Sequence, residues 1–272
     1  MCFNGVNSKL ASVYHEMYQS IFDYKKEFQF YDKLLKKNGC KKILEIGCGS
    51  GNLASYFMKS GYNYTGLDLF SEMLRIAKQV EPKAKFVHGD MRNLRLRDKF
   101  DAVIVTGRSF TYLTKNEDVI KTLQSIHKTL KNRGILIFDN FDAQAIFGNF
   151  KRSFIQSSRY KNRLYRRISN SSWNLKTGWT WNWNAKYATW HKSNPDHKLF
   201  HNQMISSYWE ARIKPLDHSR IIAGNFRFLL NFSLRKDNKT QNQTQNLNII
   251  GKKFQAKLEI FLRYAEIALR GN

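Results

Sequence analysis

The chain has 272 residues, 42% of them hydrophobic and 25% charged, which suffices for one large α/β domain or a core domain carrying a lid. No apolar run approaches the ~20 residues that a membrane span needs. Cys2, Cys40 and Cys48 lack the paired spacing of a disulfide framework or zinc site, so no metal is expected. Net charge is +25 and uneven: 23 basic against 15 acidic residues in 1–150, and 23 against 6 in 151–272. A basic half points to an anionic partner, unless it is only solvated surface.

In chain order, residues 8–37 are predicted to be helical. Leu10, Val13, Met17 and Ile21 recur at helical spacing, then Phe28, Tyr31 and Leu35, with Tyr14, Tyr18 and Tyr24 adding an aromatic side. Gly39 ends this region. A short buried strand follows over 43–46, then a helix over 52–60 ended by Gly61. A second strand over 62–67 ends at Asp68. Ser71 is expected to cap a helix carrying Met73, Leu74 and Ala77 and bounded by Pro82. The third strand is 85–88, followed by Gly89-Asp90-Met91, and the fourth is 102–106. Residues 117–131 form an amphipathic helix with Val119, Ile120, Leu123, Ile126, Leu130 and His127 inward. The fifth strand is 135–138. Beyond residue 150, TGWTWNWNAKYATW alternates aromatics at period two and reads as an antiparallel strand or hairpin. Residues 226–234 are a further strand, 236–246 a polar loop or disordered stretch, and 252–269 an amphipathic helix.

Strands alternating with helices predict βαβ units in a doubly wound, mostly parallel sheet. Ligands on such sheets bind beyond the carboxyl ends of the strands. Gly47–Gly51, Asp68, Asp90 and Thr106 all fall at such ends. The turn Gly47-Cys48-Gly49-Ser50-Gly51 follows a strand containing Glu45. A glycine turn between strand and helix lets a ligand approach the backbone, and Asp68, 21 residues past Gly47, has the reach and acceptors for a ribose diol. The spacing G-x-G-x-G is not that of a dinucleotide site. Glu45 would repel a pyrophosphate while tolerating a cationic ligand, and no Lys-Ser/Thr follows to make a nucleoside-triphosphate loop.

LEIGCGSG, GLDLFSEMLRIA, VHGDMRNL, FDAVIVTGRSFTYL and LKNRGILIFDNFD, in that order across residues 40–142, resemble the motifs of class I S-adenosylmethionine-dependent methyltransferases, closest to their small-molecule branch. The resemblance implies a Rossmann-like, seven-stranded sheet. It also implies an N-terminal helical lid over 1–38, a cofactor-binding core over 39–150, and an antiparallel cap with completion of the sheet over 151–272. S-adenosyl-L-methionine would be the cofactor. Gly47, Cys48 and Gly49 would meet its methionine part, with Glu45 orienting that turn or the cofactor's ammonium. Asp68 would hold the ribose, and Leu69 and Met73 would flank the adenine. Asp90 would accept from the adenine amino group beside the Met91 backbone. Thr106 would lie near the sulfonium, and Tyr14 would line the lid. Such enzymes finish with an antiparallel strand pair, to which AGNFRFLLNFSL is a loose match.

The implied activity is methyl transfer to an amine or hydroxyl of a small molecule. Its catalytic group is unassigned, with Tyr112, His127 and the aromatics beyond 159 as candidates. One alternative is an RNA methyltransferase using the basic second half. It lacks the Asn/Asp-Pro-Pro-Tyr turn of exocyclic base methylation and the cysteine of cytosine carbon methylation. The other is a non-catalytic binding subunit. MCFNGVNSKLASVYHEMY lacks a signal peptide's apolar stretch, so a cytoplasmic location is expected.

Overall fold

The computed structural model describes residues 8–140, 151–174, 180–191, 205–212 and 227–232. Five strands alternate with helices through the first half: β1 (Lys42–Ile46), β2 (Asn63–Asp68), β3 (Lys85–His88), β4 (Phe100–Val105) and β5 (Leu130–Asn140). The helices are α1 (Ser8–Tyr18), α2 (Tyr24–Lys37), α3 (Ala54–Lys59), α4 (Ser71–Val80) and α5 (Asn116–Thr129). A second sheet of four antiparallel strands follows in the order β6 (Ser153–Tyr160), β7 (Arg163–Asn174), β8 (Thr180–His191) and β9 (Ile205–Arg212). The chain then returns to the first sheet through β10 (Arg227–Phe232), giving the order β10-β5-β4-β1-β2-β3.

The period-two pleat divides the parallel sheet into two apolar faces. Leu44, Ile46, Val103, Val105, Leu136 and Phe138 point toward Val119 and Ile126 of α5. Ile43, Ala102, Ile104, Ile135 and Ile137 point toward Tyr31 and Leu35 of α2 and Phe57 of α3. Burial on both sides explains why these strands read as continuous apolar runs. Each such side chain contributes roughly 1.5–3 kcal/mol on leaving water.

Several expectations need correction. The predicted helix over 8–37 is two helices. Asp23 Oδ1 accepts the Lys26 N–H at 3.1 Å and so starts α2, and a capping acid outcompetes continuation of the previous helix. Ser71 is the first residue of α4 and not its cap; the preceding Phe70 is the N-cap. On α5, Ile120 is 41% exposed and His127 is exposed, both on the outer side. β10 pairs parallel with β5, Arg227 opposite Ile135, where an antiparallel finish was expected. Six strands lie in this sheet among the described residues. The polar stretch 236–246 and the helix expected over 252–269 lie outside those residues. Among the described residues no helix is long and apolar enough to cross a membrane.

Gly51 shows what one glycine does for this packing. Its φ is +74°, and a Cβ there would stand 3.0 Å from Ala77 Cβ and 3.2 Å from Phe86 Cζ. The turn is thereby pressed onto α4 and β3. Gly51→Ala combines a left-handed backbone with overpacking, so it should cost about 1–3 kcal/mol, read as a lower urea midpoint at unchanged slope.

Candidate active site

Because the strands of the first sheet are parallel, their carboxyl ends share one edge. Glu45, Thr106 and Asp139 each stand two residues beyond an apolar residue of the α2 face, namely Ile43, Ile104 and Ile137. The pleat therefore aims all three toward α2 at the sheet's upper rim. Glu45 is 1% exposed. Its carboxylate accepts hydrogen bonds from Tyr64 Oη at 2.5 Å and Thr106 Oγ1 at 2.7 Å. Burial pushes its carboxyl up to about 7; these two bonds pull it down, while Asp68 and Asp139 raise it further.

The glycine turn lies directly above. Gly47 and Gly49 have φ of +74° and +54°, and a Cβ on Gly47 would stand 2.1 Å from Ser109 Oγ. Only glycine lets the turn lie this close to the loop after β4. Asp68 ties the turn to β2: Oδ2 accepts from Gly49 N at 2.8 Å and Oδ1 from Phe70 N at 2.9 Å. Burial raises its pKa, against the lowering effect of these N–H groups. A carboxylate has about four acceptor positions, so two remain for a diol. Cys48 is buried, with its N–H on Leu67 O and its sulfur packed toward Gly66; burial pushes its thiol up.

The remaining predicted residues sit as follows. Leu69 is 37% exposed beside Asp68. Met73 is buried with Ala11 and Ile76 against Tyr14 and Phe70, a packing role under α1. Met91 opens a 3-10 turn and packs on the α5-side core. Asp90 caps that turn through Arg92 N at 2.9 Å and also receives the Arg92 guanidinium at 2.5–3.0 Å. Against the cost of burial, Arg92 holds its carboxyl below the usual carboxylate range. An adenine amino group at Asp90 therefore has to share a carboxylate already occupied by a guanidinium. Tyr14 stacks on Tyr18 with ring centroids 3.8 Å apart, and α1 is fastened over the turn. His15 Nδ1 and Ser50 Oγ lie 2.9 Å apart, and Gln19 Nε2 donates to Asn52 Oδ1 at 2.6 Å. Of the candidate catalytic groups, Tyr112 is grouped with Tyr18, Tyr187, Arg108 and Asp139, while His127 is on the far side of α5.

Sequence reasoning missed four residues here. Asp139 is 5% exposed, accepts Arg108 N at 2.7 Å, and is pushed up to about 6 by burial, which the Arg108 charge opposes. Glu27 of α2 is pushed up to about 7 by burial, then by Asp139 and Glu45, with Arg108 opposing. Tyr31 is 0% exposed, with burial and these three acids all raising its pKa. Arg108 holds φ +60° in the loop after β4. Asp139 was legible as an acid ending a strand, like Asp68; Glu27 was hidden on an ordinary-looking helix.

Residues 43–134 match the family described as "Methyltransferase domain". That match covers the strand–helix core that carries the glycine turn, Asp68, Asp90 and Thr106. It is 36% identical over 133 residues to the putative methyltransferase YqeM of Bacillus subtilis (strain 168), covering 47% of this chain and 53% of that protein. It is 36% identical over 124 residues to a glycine/sarcosine N-methyltransferase of Aphanothece halophytica, covering 43% and 47%. The chain thus spans about half the length of the curated relatives it matches. The crystal structure of DesVI from Streptomyces venezuelae shares the fold, with TM-score 0.63 and 23% identity over 75% of this chain and 83% of that one. The cofactor to test against this site is therefore S-adenosyl-L-methionine, which the matched domain suggests. The donor set fits it: a bare glycine turn, a buried acid with room for a diol, and an exposed leucine beside that acid.

Glu27, Glu45 and Asp139 all hold protons to higher pH when folded than when unfolded. The folded state then binds more protons through roughly pH 4–7, and stability falls as pH rises through that window. Asp139→Asn keeps an acceptor for Arg108 N–H but removes one such group. Between pH 5.5 and 7.5 it should lessen the fall in folding free energy by roughly 1 kcal/mol relative to wild type, measured by urea denaturation at each pH.

Proposed function

We propose that this methyltransferase transfers a methyl group from S-adenosylmethionine to a nitrogen or oxygen of a small molecule. The observation that carries the reading is the meeting of Asp68, the Gly47–Gly51 turn and buried Glu45 at one rim of the sheet. Bound S-adenosylmethionine supplies a methyl group already activated on a sulfonium, so that positioning and exclusion of water provide much of the rate. Asp68 would hold the ribose hydroxyls and Leu69 would lie against the adenine, with Met73 beneath it. Asp90 and the Met91 backbone would border the adenine. Gly47, Cys48 and Gly49 would offer backbone to the methionine part, and Thr106 and Glu45 would set that turn. Tyr14 on α1 would close over the site.

A small acceptor is supported by the cap. β7 and β8 turn Tyr165, Ala185 and Tyr187 inward onto Leu10, Val13, Met17 and Tyr18 of α1, the helix fastened over the glycine turn. Part of the basic charge that favours the RNA reading is also engaged within the fold. Arg167 donates to Tyr18 Oη at 2.6 Å and to Gln156 Oε1 at 2.5 Å, and the exposed Arg163 pairs with Glu16. That a relative bears the name glycine/sarcosine N-methyltransferase agrees with a small acceptor.

Calorimetry with S-adenosylmethionine should show binding by wild type and a loss of at least tenfold in affinity for Asp68→Ala. Well-folded wild type that takes up none of the compound would overturn the proposal. RNA retention that falls steeply with salt would favour the second reading.

A further inference from the structure

The α2 side of the rim assembles chemistry that cofactor binding does not use. Asp139 stands beside Thr106, as shown by the pairing of Val105 with Phe138 one residue earlier. α2 covers this face with Tyr24, Glu27 and Tyr31, spaced three and four residues apart and so on one side of the helix. Each oxygen of Glu45 already accepts one hydrogen bond, from Tyr64 and from Thr106. Asp139 is buried with one backbone N–H from Arg108. The Tyr31 hydroxyl is fully buried and has no hydrogen-bond partner in this acid-lined place, although a buried hydroxyl left unpaired costs about 1–3 kcal/mol. An unpaired donor enclosed by acids marks a place built for something else to occupy.

We infer that Asp139 and Glu27, with Tyr31 beside them, form the acceptor's binding and proton-accepting site, and that the acceptor is an amine arriving as its ammonium ion. This rests on the methyltransferase reading above and narrows its acceptor to nitrogen. The charge favours it: Asp139 and Glu45 both act on Glu27, and Arg108 is the cation that acts on Glu27, Tyr31 and Asp139. A protonated amine adds a second positive charge against these acids. In the step assigned to the pair, an N–H bond of the ammonium breaks, its electron pair stays on nitrogen, and the proton forms an O–H bond on a carboxylate. The freed lone pair makes the amine nucleophilic. Carboxyls near 6 and 7 are suited to this exchange at neutral pH. The groups that face the pair and tune it are Tyr24 and Tyr31 on α2, Glu45 on β1, and Arg108 and Tyr112 after β4. A hydroxyl acceptor brings no charge and gains nothing from the cluster.

The test uses the full chain labelled with carboxyl-13C Asp and Glu, observed by NMR from pH 4.5 to 8.5, with and without S-adenosylhomocysteine. Asp139→Asn and Glu27→Gln assign the two signals. Both should titrate between pH 5.5 and 7.5, and methylammonium should lower their midpoints while methanol at equal concentration leaves them in place. The response should shrink at least fivefold in either variant. Midpoints near 4, or equal responses to methylammonium and methanol, would overturn the inference. Absence of S-adenosylhomocysteine binding with the cation response intact would instead count against the methyltransferase reading alone, so the two failures are separable.

Discussion

The site depends on one buried carboxylate. Glu45 sits inside β1, where an acid is costly to bury, and it is held by a tyrosine from β2 and a threonine from the end of β4. Three adjacent strands are thereby tied at their carboxyl ends. The turn that begins at Gly47 inherits its position from that clamp, because Gly47 N and Cys48 N both donate to Leu67 O and Gly49 N donates to Asp68. An apolar residue at position 45 would pack well enough, but it would leave the Tyr64 and Thr106 hydroxyls without their acceptor.

Around this clamp the two halves of the chain share a helix. α1 gives His15 to the glycine turn and Leu10, Val13, Met17 and Tyr18 to the antiparallel cap, and Gln19, just past its end, holds Asn52 beside the turn. Any tilt of α1 is felt at both the turn and the cap. The aromatic run noted on 8–37 serves this: Tyr14, Tyr18 and Phe22 stack in sequence along one side. Arg167 crosses from the cap to Tyr18, and Arg108 lies over Phe22 at 5.5 Å. Cap and strand tips are thus bridged through aromatic faces and guanidinium groups.

The parallel core was legible in the sequence because β1, β4 and β5 are apolar on both faces and α2, α3 and α4 are each followed by a glycine or a proline; Lys85–His88 was read with its observed bounds. Asp68 and Glu45 were legible because an acid at or in a buried strand has no packing excuse. What could not be read were residues whose meaning comes from another element. Glu27 looks like a solvated helix acid until α2 is laid over β5. The break at 19–23 depends on Asp23 acting as a cap. The parallel pairing of β10 depends on which edge a distant segment meets. His127 misled because a helix of this spacing has a broad boundary between its faces, and one residue's rotation moved it outward.

The net charge and the site carry opposite signs, and distance decides which one matters. A chain at +25 suggests an anionic partner, but surface charges are screened within about 8 Å at physiological salt. Glu27, Glu45 and Asp139 are withdrawn from that solvent, where a charge acts at lower dielectric and therefore more strongly on whatever enters. A sulfonium and an ammonium are both cations, and both would be brought to this same rim. Two like charges held close repel, so the acids also serve to make the pair tolerable. Once the ammonium's proton passes to a carboxylate, the acceptor becomes neutral and that repulsion disappears as the nucleophile appears. Binding of the two cations and readiness of the acceptor are, on this arrangement, consequences of the same buried negative charge.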